Sequence, residues 1–183
     1  MMGVIALILT VALVFQYAYG ELPCPLCLLE RLAMFGVCFG IILTFRHGFS
    51  YQHTGVSLLF ALILVIVAER QSLLDIYPRP GHAYIGSAIF GLHMPVWATI
   101  IGLVLLFTII AKMAVIGGDR ALERIGLAAF PVLARAGAIV SLYVILLLAI
   151  NLVSAFLQCG FNECHTYGYQ LLGGPTAPPA GGT

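Results

Sequence analysis

Four of the chain's five cysteines fall into two close pairs, Cys24/Cys27 and Cys159/Cys164. Thiols this close in sequence can cycle between dithiol and disulfide and so carry electrons. The first pair is spaced Cys-x-x-Cys, as in redox dithiols, and lies in Pro23-Cys24-Pro25-Leu26-Cys27-Leu28-Leu29-Glu30-Arg31. At a helix N-terminus, unpaired amides and the helix dipole stabilise a thiolate. Arg31 lies four residues past Cys27, on the same face of such a helix. Its cation can steady a thiolate, or the oxygen of a quinone as negative charge develops there. Snorkelling to the headgroups is the plainer role for an arginine at this level.

The second pair, Cys159-Gly160-Phe161-Asn162-Glu163-Cys164, has turn formers at Gly160 and Asn162 that let the sulfurs meet. Closing so small a ring contributes only ~2 kcal/mol to stability, which favours exchange with a partner over stapling. Zinc in a four-thiolate cage and a purely structural disulfide are the alternatives; the loose Cys-x4-Cys spacing counts against zinc, and no metal site is expected. Cys38 reads as a small buried hydrophobe, and His93 as an interfacial histidine.

The elements that must position these residues are apolar. The chain has 183 residues, 62% hydrophobic and 8% charged. Soluble domains carry about 25% charged residues, so this is an integral membrane protein in contact with the lipid bilayer. The net charge of +1 provides no basic stripe for nucleic acid. The expected fold is all-α, with spans at about 2–19, 27–45, 51–70, 95–113 and 136–157. The first twenty residues hold no Lys or Arg and read as a retained helix, not a cleaved signal. Residues Asp75 to Gly81 must be irregular. Ala83 to Leu92 fits a segment lying in the membrane surface, and Gly117 to Arg135 an amphipathic interfacial one. Residues 1–172 form one membrane domain, and 173–183 a disordered tail.

With the N-terminus inside, the inner connections carry Arg46, Lys112, Arg120, Arg124 and Arg135 and the outer ones Arg31, Arg70 and Arg79, a modest positive-inside bias. Five crossings then place the C-terminus outside, and both cysteine pairs emerge on one outer, oxidising face. Arg70 and Gln71, at the outer end of the third span, can line the same cavity as Arg31.

Cys24-Pro25-Leu26-Cys27-Leu28-Leu29-Glu30-Arg31 ahead of Leu32-Ala33-Met34-Phe35-Gly36 resembles the first redox motif of the disulfide bond formation protein B (DsbB) family. Arg70-Gln71 with Tyr77-Pro78-Arg79-Pro80, and Phe90 to Trp97, are similar to further stretches of that family, so the resemblance runs from about Met1 to Met113. It implies a four-helix membrane bundle in the bacterial inner membrane, here with an added fifth C-terminal span. It implies that the Cys-x-x-Cys passes electrons to a membrane quinone, ubiquinone or menaquinone, with Arg31 beside it. It also implies that a second outer pair oxidises a DsbA-like periplasmic thiol oxidase.

The family's second pair lies between spans three and four, where Glu69 to Met94 has no cysteine here. Cys159/Cys164 substitutes by role. On this reading Cys27 faces the quinone, and Cys24, nearer water, exchanges with the second pair. A membrane reductant running the reverse flow uses the same residues. A non-catalytic membrane scaffold or metal-binding protein is the rival from another class.

Overall fold

The computed structural model describes residues 1–76, 90–116, 131–161, 164 and 168–173. Of the expected irregular stretch Asp75 to Gly81, Asp75 and Ile76 are instead helical; its remainder and most of the two expected interfacial segments lie outside the described residues, as does the tail from residue 174.

The described chain is all-helical: α1 (Met2–Ala18), α2 (Pro25–His47), α3 (Tyr51–Ile76), α4 (Met94–Ile116) and α5 (Pro131–Cys159), with a short 3-10 turn at Gln170–Leu172. In lipid every backbone amide must bond within its own segment, and the helix meets that condition. α2 to α5 are each long and apolar enough to cross a bilayer. α1 has 17 residues, or about 25 Å of helix, at the lower end of what spans the hydrocarbon. The protein is a multi-pass helical membrane bundle.

α3 packs between α2 and α4, while α5 packs on α1 and α2. The α2–α3 contact is close because Gly36 and Gly40, four residues apart, offer no side chain to the seam. A Cβ at Gly40 would meet the His53 carbonyl oxygen at 2.6 Å and the Ser57 nitrogen at 2.7 Å. Such small-residue approach is how helices gain contact in a solvent as apolar as themselves. The core of Ile5, Leu9, Val37, Cys38, Ala61 and Leu64 fills the space between α1, α2 and α3. Ser57 adds a hydrogen bond from α3 to the Val37 carbonyl (3.0 Å), and Ser72 meets Thr99 between α3 and α4 (3.3 Å).

α3 runs two turns past the expected end of its span. Gln71 therefore sits inside a helix, with its direction fixed by the backbone.

Candidate redox site

α2 begins where its sequence directs. Cys24 is the N-cap, in extended backbone, and its Sγ accepts from the Cys27 amide (3.1 Å). Pro25 takes the first helical position, where a missing N–H costs nothing. This turn brings Cys24 and Cys27 into a disulfide, with Cα atoms 5.1 Å apart.

Gln71 reaches the bond from α3. Its Nε2 lies 3.3 Å from Cys24 Sγ and 3.4 Å from Cys27 Sγ, and the residue is 6% exposed. A buried amide N–H aimed at a sulfur pair is placed to stabilise the thiolate that forms when the bond opens. The neighbouring Arg70 is exposed. Only Gln71 of the two expected site residues on α3 contacts the sulfurs.

Cys24 is buried at 5% exposure, and Cys27 is partly exposed. Cys24 is thus the more enclosed of the two. At the end of α5, Gln158, fully buried, donates from Nε2 to the Pro23 carbonyl at 2.8 Å. That bond closes the bundle over the residue preceding Cys24.

The second disulfide, Cys159–Cys164, begins at the last residue of α5. Gly160 turns the chain out of the helix at φ +58°, and its amide caps the Phe156 carbonyl at 2.8 Å. This left-handed position suits glycine. Gln158 adjoins Cys159 and Pro23 adjoins Cys24, so one hydrogen bond holds the two disulfide-bearing segments together. Both pairs lie at the same end of the bundle.

Arg31 lies below them in α2. Its Nη1 donates to Gln16 Oε1 of α1 (2.6 Å) and to Asn151 Oδ1 of α5 (3.2 Å); its Nη2 donates to the Ala12 carbonyl (3.2 Å). These acceptors are two amides and a peptide carbonyl, all neutral. They satisfy the guanidinium in an apolar surround without cancelling its charge. An arginine has five N–H donors; three are used among the described residues, leaving one on Nη2 and that of Nε. Gln16 in turn donates to the Tyr169 hydroxyl (3.1 Å), which ties the segment after the second disulfide to the same cluster. Tyr17 of α1 and Ser154 of α5 share a further hydrogen bond.

Gln16, Asn151, Ser154, Gln158 and Tyr169 were not singled out from the sequence. Four of them had a signal. Gln16 continues the buried stripe Ile5, Leu9, Leu13 of α1, and Asn151, Ser154 and Gln158 continue Val144 and Leu147 of α5. Polar residues on the buried stripe of an apolar helix must find partners within the protein. Tyr169 carried no comparable mark.

A helical membrane bundle with two disulfides at one end, an amide on the first and a polar-caged arginine beneath it has the parts of a membrane thiol–disulfide protein. Residues 1–83 match the family described as Disulfide bond formation protein DsbB. It is similar to Disulfide bond formation protein B of Nitrosomonas eutropha, 36% identical over 72 residues, or 37% of this chain and 44% of the relative. The chain thus matches less than half of that relative's length. No solved structure matches it. The matched stretch holds α1 to α3, the first disulfide, Arg31 and Gln71. It stops short of the Met113 expected from the resemblance, so α4, α5 and the second disulfide lie beyond it.

Proposed function

We propose that this chain is a membrane thiol oxidase that takes electrons from a soluble dithiol and delivers them to a membrane quinone. The observation that supports it best is the Gln158–Pro23 hydrogen bond, which joins the segments that carry the two disulfides. In the first step a thiolate of the reduced partner, a DsbA-like periplasmic oxidase, attacks the Cys159–Cys164 bond and forms a mixed disulfide. The partner's second thiol then resolves it. The partner leaves oxidised, and Cys159 and Cys164 hold two electrons and two protons as thiols. One of these thiols attacks the Cys24–Cys27 bond, and the other resolves that mixed disulfide in the same way. The Cys24/Cys27 dithiol then gives up its electrons and protons as it closes again.

The residues present suit a quinone acceptor. Arg31 is only partly buried, and two of its N–H groups are unused by the hydrogen bonds described above. A bound ubiquinone or menaquinone would supply the two-electron, two-proton sink and depart as quinol. Arg31 would bind its carbonyl oxygen and favour the charge that grows there. Gln71 would steady the sulfur leaving group.

The arrangement requires both pairs to face the oxidising side of a bacterial inner membrane, with the N-terminus cytoplasmic and the C-terminus periplasmic. Quinone reduction by the purified chain, driven by a reduced thioredoxin-like dithiol protein, tests the reading. Wild type should turn over and Cys164→Ser should lose turnover by at least a hundredfold. Equal rates would remove the second pair from the pathway. Impermeant maleimide applied to intact, reduced cells should label Cys159; protection from label until the cells are opened would contradict the orientation.

A further inference from the structure

The residues that hold Arg31 come from both sides of the family match. Ala12, Gln16 and Arg31 lie within residues 1–83. Asn151 lies on α5, far beyond it, and is 7% exposed. An asparagine buried in a bilayer helix is unfavourable unless its amide is bonded, and its Oδ1 is spent on Arg31 Nη1.

The geometry around the guanidinium gives that contact a consequence. Nη1 is held from two sides, by α1 through Gln16 and by α5 through Asn151. Nη2 is held by the α1 backbone at Ala12. Three acceptors on two helices fix the plane of the group and the direction of the Nη2 and Nε hydrogens that are unused among the described residues. Without Asn151, both remaining acceptors belong to α1, and the plane can rotate about the axis they define.

We infer that Asn151 is a positioning residue of the electron-acceptor site: through the Asn151–Arg31 hydrogen bond, α5 sets the guanidinium for the carbonyl oxygen of a quinone-class acceptor. The inference rests on the quinone reading above and adds that the fifth helix completes that site. The same helix would then serve both ends of the electron path, since its buried face continues through Gln158 to Cys159.

The test uses the full chain, oxidised and in lipid nanodiscs, with ubiquinone-1 as the probe and equilibrium dialysis for Kd. Asn151→Leu should raise Kd about tenfold. In an Arg31→Met background, Asn151→Leu should add less than twofold, because the amide acts through the guanidinium. In turnover, Asn151→Leu should raise KM for the quinone with kcat changed less than threefold. If Asn151→Leu does not fold, Asn151→Ser, too short to reach Arg31, replaces it with the same expectations.

Wild-type affinity in the Asn151→Leu or Asn151→Ser protein would overturn the inference. So would an undiminished effect in the Arg31→Met background. Should wild type itself not bind ubiquinone-1, the quinone reading falls and the inference with it. Failure of the inference alone shows as wild-type binding that is unmoved by the change at Asn151.

Discussion

Replacing Gln71 with leucine separates chemistry from stability at this site. The Gln71 Nε2 group lies 3.3 Å and 3.4 Å from the two sulfurs of the first disulfide. In the intact disulfide these sulfurs are weak acceptors, and the bonds contribute little to the fold. When the bond opens, the departing sulfur carries negative charge, and a hydrogen bond to a charged group is worth about 1.5–3 kcal/mol. At about 1.36 kcal/mol per tenfold in rate, its loss slows opening by roughly 10- to 150-fold. Leucine is close in volume to glutamine and apolar, so the buried position should tolerate it with less than about 1 kcal/mol of change. Stopped-flow reduction of the Cys24–Cys27 bond by a small dithiol, in a Cys159→Ser/Cys164→Ser background, isolates this step. A Gln71→Leu rate within threefold of the parent would refute the assignment of Gln71 to the leaving sulfur. A large loss of thermal stability would refute the claim that its role is confined to the chemistry.

The remaining predictions address the parts that hold the site. Gly40→Ala drives a methyl into the His53 and Ser57 backbone and should destabilise the bundle by about 1–3 kcal/mol. Gly55→Ala, with nothing within 4 Å of the added carbon, should not destabilise it; melting in detergent compares the two. Gln158→Leu leaves the buried Pro23 carbonyl without its 2.8 Å donor; disulfide exchange between the two pairs, followed by quenched alkylation, should slow about tenfold with Kd for ubiquinone-1 unchanged. Cys38 is a free thiol with no exposure, so Cys38→Ala should leave quinone-coupled turnover within twofold of wild type.

Much of the fold was legible because lipid leaves the backbone few options. Long apolar stretches must be helices, and all five were located from apolar run length alone. Their ends were less legible. α3 continues through Arg70, Gln71 and Asp75 to Ile76, and α5 begins at Pro131, five residues ahead of the expected span. Run length marks where lipid contact ends, whereas a helix continues for as long as its backbone stays bonded. The first disulfide was legible from Cys-x-x-Cys and Pro25, since spacing and capping are local. The partners of Arg31 were not. Gln16 and Asn151 carry no charge, lie 135 positions apart, and meet only because α1 packs on α5. The Gln158 bond to the Pro23 carbonyl was not legible either, because its donor comes from the far end of the chain.

Direct exchange between the two sulfur pairs is the step on which the whole account depends, and Cys27→Ser exposes it. In that variant the lone Cys24 thiol can attack the Cys159–Cys164 bond, forming one mixed disulfide and releasing one thiol, with no partner left at position 27 to resolve it. Peptide mass spectrometry under non-reducing conditions should find Cys24 linked within the same chain to Cys159 or Cys164. A Cys24 that stays fully alkylatable, beside an intact Cys159–Cys164 bond, would show that the pairs do not communicate.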